Sequence, residues 1–236
     1  MPACEQVETI VVGGGQAGLA MSYWLRQFGH EHLVLERYRV AERWRSERWD
    51  SLAFQSPKWN MGLPGYGSQA AYLESFASRS EVVEFIEHYA AFARVPLRCG
   101  TEAKVLRQKP GSAAFVIETQ DGSIEARNVV IATGPYQLPA IPLNLSTTAL
   151  QIHSSQYRCP ELLPPGAVLV IGSGNSGCQI AEEICSAGRQ AYLSVSPHRR
   201  TPRRYRGRDY IWWHIALGEG LHLVVSASPR AICHQM

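Results

Sequence analysis

The chain has 236 residues, 45% of them hydrophobic and 18% charged, with a formal net charge of +3. That describes a globular protein with material for one large or two modest domains, and too little net charge to demand a nucleic-acid partner. No apolar run reaches the length of a membrane span, and Glu5 and Glu8 interrupt any leader-like stretch ahead of the first strand.

The first element is an apolar run, Val7 to Val12, that reads as a buried parallel strand. It enters Gly13-Gly14-Gly15-Gln16-Ala17-Gly18, glycines spaced G-x-G-x-x-G, and then a helical pattern through Leu19, Ala20, Tyr23 and Trp24. Strand, glycine turn and helix in that order make the dinucleotide fingerprint. Gly13 permits the tight turn, Gly15 lets the backbone approach a pyrophosphate, and Gly18 lets helix and strand pack closely. Gln16 and Ala17 open the helix, whose unpaired N–H groups and positive dipole end suit phosphates. Gly29 closes the helix, and His32 to Glu36 reads as the next strand. Glu36 stands where an acid takes a ribose 2′-OH and repels a 2′-phosphate, so this site predicts FAD or NAD rather than NADP.

Residues 37 to 50 are polar and studded with arginine and tryptophan, a pattern that a solvated surface helix would also give. Leu52 to Gly67, with two prolines and several glycines, reads as a long ordered loop. Ser78-Arg79-Ser80-Glu81 has the form of a capping box, and Val82, Phe85, Ile86, Tyr89, Ala90 and Ala93 follow at helical spacing. From Ala103 to Ile131 short β segments broken at Pro110-Gly111 and Asp121-Gly122 predict a three-stranded meander that runs into Ala132-Thr133-Gly134. A proline-rich crossing with Pro139, Pro142, Pro160, Pro164 and Pro165 suits an interdomain linker.

The opening pattern then recurs. Ala167 to Ile171 is an apolar strand, Gly172-Ser173-Gly174-Asn175-Ser176-Gly177 a second G-x-G-x-x-G, and Ile180, Ala181, Ile184 and Cys185 the inner face of the following helix, which Gly188 caps. One such motif is a weak signal; two, each between strand and helix, are a strong one. The next strand, Ala191 to Val195, ends without an acid, in Ser194-Val195-Ser196-Pro197-His198-Arg199-Arg200. Hydroxyl and guanidinium groups in that place suit a 2′-phosphate, so Ser196, His198 and Arg199 predict NADPH here. The later arginines, up to Arg208, read equally as a solvated face, and Tyr210 to Leu217 as an apolar helix or interface patch.

The six cysteines show no C-x-x-C pair and no metal-ligand spacing, which predicts a reducing, cytoplasmic setting and no metal; Cys178 and Cys185 read as core residues of one helix face. The fold class expected is α/β, with two Rossmann-like dinucleotide-binding domains, residues 1–145 for FAD with the meander included and 146–236 for NADPH.

On Gly13 to Gly18, Trp44-Arg45, Ala132-Thr133-Gly134 and Gly172 to Gly177, the chain resembles the flavin-containing monooxygenases and their Baeyer–Villiger and N-hydroxylating relatives, over about residues 7 to 217. The resemblance implies that Trp44 and Arg45 lie along the FAD, with Arg37 beside Glu36, Gln55 near the flavin, and Thr133 and Gly134 closing the FAD domain. It implies NADPH as hydride donor, O₂ as co-substrate, a flavin C4a-(hydro)peroxide and oxygenation of a small organic substrate. Of the family's Phe-x-Gly-x-x-x-His element and its following aromatic, His153 and Tyr157 match while Thr147 and Ala149 depart. No side chain is assigned a catalytic role. Disulfide reductase chemistry would need a redox-active C-x-x-C, and the sequence has none. In the resembling family the chain returns to the FAD domain after the NADPH domain; no such return is recognisable beyond Leu217. The sequence thus predicts a C-terminally truncated enzyme with weak FAD binding, or a nucleotide-binding partner subunit without turnover, its open face covered by an oligomer or partner chain.

Overall fold

The computed structural model describes residues 5–67, 74–135, 138–141, 148–197 and 202–217. Its elements in chain order are β1 (Glu5–Val12), α1 (Gln16–Gln27), β2 (His32–Glu36), α2 (Glu42–Ser46), β3 (Ala53–Pro57), β4 (Gly62–Leu63), β5 (Tyr66–Gly67), β6 (Phe76–Ser78), α3 (Arg79–Phe92) and β7 (Leu97–Cys99), then β8 (Val105–Gln108), β9 (Phe115–Thr119) and β10 (Gly122–Ile131). The second half adds β11 (Val168–Ile171), α4 (Asn175–Ser186), β12 (Ala191–Ser194), the short pair β13 (Arg204–Tyr205) and β14 (Arg208–Asp209), and α5 (Tyr210–Ala216). The architecture is α/β with a mixed main sheet.

That sheet runs β7-β2-β1-β10-β9-β8. β1 lies parallel to both β2 and β10, with Val12 opposite Leu35 on one side and Ile131 on the other. β10, β9 and β8 are joined antiparallel, which is the meander read from the turn dipeptides. Successive side chains of a strand face opposite ways. Ile10 therefore joins Leu35, Ile117, Ile124 and Ala126 in one buried cluster, while Val11 faces α1 close to Gly18. A second cluster, with Leu19 of α1 and Val82, Val83, Ile86 and Tyr89 of α3, closes the helical side.

α3 carries the expected capping box, with Ser78 Oγ accepting from the Glu81 N–H and Glu81 accepting from the Ser78 N–H. The stretch read as one long loop, Leu52 to Gly67, instead holds β3, a 3₁₀ turn at Lys58–Asn60 and the β4–β5 hairpin. β3 is stabilised by pairing with β6, a partner some twenty residues on that local composition does not reveal. β7 was not anticipated either: three residues are too short for a periodic signal, and their strand character comes from pairing with β2.

The β11–α4–β12 unit repeats the β1–α1–β2 unit without a single insertion or deletion, from Thr9–Glu36 to Val168–Val195. α1 and α4 end in the same way, with Gly29 and Gly188 at φ of 73° and 75° and the following N–H returning to Leu25 O and Ile184 O. This is the Schellman arrangement, in which left-handed backbone favours glycine. Ile180, Ala181 and Ile184 are buried as expected, whereas Cys185 and Cys178 are exposed, which corrects their assignment to the core. Both sit outside the stripe that Ile180 and Ile184 present to β11 and β12, a 3.6-residue period that the seven-residue spacing did not resolve.

No helix among the described residues is long and apolar enough to cross a membrane.

Candidate functional site

The two glycine turns have the same geometry. Gly13 and Gly172 lie at φ of 110° and 101°, where only glycine is at ease. A Cβ on Gly18 would stand 1.8 Å from Gly13 O, and one on Gly177 1.9 Å from Gly172 O, so both third glycines are demanded by packing. The middle glycines differ. A Cβ on Gly15 or Gly174 would meet nothing within 4 Å. Neither needs to be glycine for the sake of the protein, and both leave backbone open to an outside group.

The helix starts point the same way. α1 and α4 have no side-chain cap and no acid in the first turn, while α3 and α5 are capped by Ser78 and Asp209. The free N–H groups of α1 and α4 are therefore available to an anion.

At the first turn Glu36 lies beside the glycines. The Gly14 N–H donates to its Oε2 at 2.8 Å and the Tyr38 N–H to its Oε1 at 3.0 Å. A carboxylate accepts about four hydrogen bonds, so two backbone donors fix its orientation and leave lone pairs for ribose hydroxyls. Arg37 stacks on the Tyr38 ring, 5.1 Å from its centroid. The far wall is the crossing after β10: the Ala132 N–H bonds Val12 O, and a Cβ on Gly13 would collide with Ala132 O at 2.5 Å and approach Thr133 Cα at 3.2 Å. Gln16, Ala17, Glu36, Thr133 and the glycines are thus brought together at one end of β1, and Gly134 follows at φ of 80°.

Trp44 and Arg45 are held on α2 by the protein itself. Trp44 packs on Phe54 and under the Arg48 guanidinium, and Arg45 bonds Val40 O and the carboxylate of Glu87 on α3.

At the second turn, the Gly172 N–H bonds Ser194 O as the Gly13 N–H bonds Leu35 O. Ser194 therefore corresponds to Leu35 and Val195 to Glu36. The acid is replaced by an exposed valine, followed by Ser196. His198 and Arg199, the other expected 2′-phosphate ligands, lie outside the described residues.

The two turns are linked through α4. Asn175 Nδ2 donates to Gln55 Oε1 at 2.6 Å. One turn on, Gln179 Nε2 donates to Ala53 O at 2.9 Å and its Oε1 accepts from the Ala53 N–H at 3.0 Å. Beneath lies a shared core of Trp49, Leu52, Tyr157, Ile180 and Ile184. Tyr157 donates to Glu183 at 2.8 Å, and burial first, then this bond, raises its pKa well above that of an ordinary tyrosine. Arg158 ties the crossing down by donating to Arg48 O while its own carbonyl accepts from the Asp50 N–H. His153 forms a local turn, its Nδ1 accepting from the Ser155 N–H at 3.2 Å, and has the geometry of a turn residue. Sequence reading missed Gln179. Its signal was a polar side chain four residues after Asn175, bordering an otherwise apolar stripe.

A family profile described as pyridine nucleotide-disulphide oxidoreductase matches residues 10–211, which takes in both glycine turns. The chain belongs to this family. It is 36% identical over 217 residues to an uncharacterised CzcO-like oxidoreductase of Geobacillus kaustophilus, covering 90% of this chain and 61% of that protein. It is 31% identical to the indole-3-pyruvate monooxygenase YUCCA1 of Oryza sativa, over 82% of this chain and 50% of the relative. Among solved structures it is similar to a flavin-containing monooxygenase of Stenotrophomonas maltophilia, with 27% identity and a TM-score of 0.75 over 82% of this chain and 59% of the other. The chain spans about three fifths of the length of the first curated relatives it matches. The resemblance drawn from the motifs therefore holds. Among the described residues Cys99, Cys159, Cys178 and Cys185 are unbridged, and no two cysteines of the sequence stand in C-x-x-C spacing.

Proposed function

We propose that the chain holds FAD at the β1–α1 turn and NADPH at the β11–α4 turn, as part of a flavin-dependent monooxygenase acting on a small organic substrate. The observation that carries this reading is the pair of middle glycines, Gly15 and Gly174, each open to solvent in a turn otherwise closed by packing. Both sites fit a dinucleotide: open backbone, uncapped helix N-termini, and an acid at the first site that gives way to valine and serine at the second.

When bound, the two cofactors supply hydride transfer from nicotinamide to flavin and activation of O₂, with one oxygen passing to the substrate and the other leaving as water. The chain's own part is binding and orientation. Gly13, Gly15, Gln16, Ala17 and Gly18 receive the FAD pyrophosphate, Glu36 with Arg37 its ribose, and Trp44, Arg45, Gln55, Thr133 and Gly134 border the ring system. Gly172, Gly174, Asn175, Ser176 and Gly177 receive the second pyrophosphate, and Ser196, His198 and Arg199 its 2′-phosphate. The division follows the crossing, with residues 1–145 serving FAD and 146–236 serving NADPH. The similarity to flavin monooxygenases, one of them at 27% identity, supports the assignment.

A second reading is a nucleotide-binding partner subunit without turnover. It is favoured by Leu169 and Ile171 on β11, 58% and 50% exposed, where the corresponding Ile10 and Val12 of β1 are fully buried and half-buried. Among the described residues β11 pairs with β12 alone, whereas β1 has a neighbour on each side. Purified protein that is yellow and oxidises NADPH faster with added FAD supports the enzyme. Protein that binds both nucleotides without oxidising NADPH supports the subunit, and protein that binds neither rejects both.

A further inference from the structure

Two side chains of α4 meet two positions of β3 in register. Asn175 and Gln179 are one turn apart on α4, and Ala53 and Gln55 are two residues apart on β3. Four residues of helix advance about 6 Å and two of strand about 6.6 Å, so the two spacings match and both contacts form at once. They are unequal. Asn175–Gln55 is a single exposed bond, whereas Gln179 is half-buried and engages both the N–H and the C=O of Ala53. A side-chain amide on both polar groups of one residue imitates a neighbouring strand, and it fixes β3 in position along the helix.

We propose that Gln179 is a positioning residue that couples the two nucleotide sites, by registering β3 on the first two turns of α4. This rests on the reading that the glycine turn ahead of α4 takes the second nucleotide. An anion docked on the first turn of α4 orders the backbone from which Asn175 and Gln179 project. Those two side chains hold Gln55 and Ala53, and β3 leads directly from Trp49 and Leu52 in the shared core. With Gln55 of β3 bordering the first nucleotide as proposed above, filling one site stiffens a wall of the other, and thermodynamic linkage makes the effect reciprocal.

The test uses the full chain and a Gln179→Met variant, which keeps the length of the side chain and loses both hydrogen bonds. FAD affinity is measured by flavin fluorescence with and without saturating NADP⁺, and NADP⁺ affinity with and without FAD. In the parent protein each nucleotide should tighten the other by about fivefold or more, by the same factor in both directions. In Gln179→Met that factor should fall to within about twofold of unity, while each nucleotide alone binds within about threefold of the parent, a pattern that lost packing would not produce. A coupling factor unchanged in the variant, or near unity in the parent, overturns the proposal. Hydrogen exchange of the peptide spanning 49–57 gives a second readout that needs no nucleotide. Exchange should accelerate about tenfold at the Ala53 amide in Gln179→Met, and in Gln179→Leu, which also lacks the accepting oxygen, if the first variant does not fold; unchanged exchange overturns the clamp itself. A parent protein that binds neither nucleotide rejects the functional reading and the coupling with it, and is recognised before any variant is made.

Discussion

Gln55 and Asn175, 120 positions apart in the chain, share a hydrogen bond of 2.6 Å. Gln55 belongs to the segment that follows the tryptophan–arginine element, and Asn175 is the first residue of the helix behind the second glycine turn. The contact therefore brings the β3 segment to the mouth of the second glycine turn. It is exposed, and a neutral hydrogen bond contributes only about 0.5–1.5 kcal/mol, so it reports the approach rather than causing it. The cause lies beneath, where Ile180 and Ile184 of α4 bury themselves against Trp49, Leu52 and Tyr157.

The glycines of the first turn separate folding from binding. Gly15→Ala places a methyl in open space, with backbone at φ of −84° and ψ of −172°, which alanine adopts freely. Its stability should stay within about 0.5 kcal/mol of the parent, while FAD affinity falls because the methyl occupies the approach of the pyrophosphate. Gly18→Ala drives a methyl into Gly13 O and should cost about 3 kcal/mol or more of stability. Urea unfolding alongside flavin titration checks both, and equal stability losses would contradict the assignment.

Glu36 should matter to the ribose as well as to the turn, where it accepts from the Gly14 and Tyr38 N–H groups. Glu36→Ala is expected to weaken FAD binding by about 1–3 kcal/mol, the cost of leaving a buried hydrogen-bonding group without its partner. Unchanged affinity in a fluorescence titration would remove Glu36 from the site.

Much of this was legible because its causes are local. The glycine turns, the capping box at Ser78 and the meander turns are each set by residues a few positions apart, and each stands where the sequence places it. The missing acid at the second site was also plain, and the structure adds that Val195 occupies its position. What was not legible depends on distant partners. β3 and β7 are strands because β6 and β2 lie beside them. Gln179 meets Ala53 only once the two units are packed together. Cys185 lies close to the buried Ile184 in sequence, and the small offset that exposes it is set by how α4 sits on its sheet.

Alkaline pH should weaken the helical core. Burial, aided by the nearby Tyr23, pushes the pKa of Tyr89 up to about 12 from an ordinary 10.0, and its hydroxyl donates to Pro64 O at 3.2 Å. The native state thus holds the proton more tightly than the unfolded chain. Stability from this group is fully present below pH 10 and declines as pH rises from 10 towards 12, where the unfolded chain ionises and the native state does not. Tyr157 titrates in the same direction. Tyr89→Phe should flatten part of that slope in urea midpoints measured across the range. An identical slope in the variant would place its origin elsewhere.

The register between the two units gives the sharpest test of nucleotide choice. Val195 stands where Glu36 stands, since Ser194 O and Leu35 O receive the same glycine N–H in their respective turns. A carboxylate there accepts ribose hydroxyls and repels a 2′-phosphate. Val195→Glu should therefore lower affinity for NADPH and leave or raise affinity for NADH, moving the ratio towards NADH by about tenfold or more, equivalent to roughly 1.4 kcal/mol. Val195 is 50% exposed, so the added charge stays hydrated and the fold should tolerate it. Arg199→Ala attacks the same preference from the other side and should weaken NADPH far more than NADH, because only NADPH carries the phosphate that a guanidinium would bind. Titrating both nucleotides into both variants decides the matter. Equal losses for the two nucleotides in Arg199→Ala would remove that residue from the phosphate, and an unchanged ratio in Val195→Glu would mean that the second site does not follow the geometry of the first.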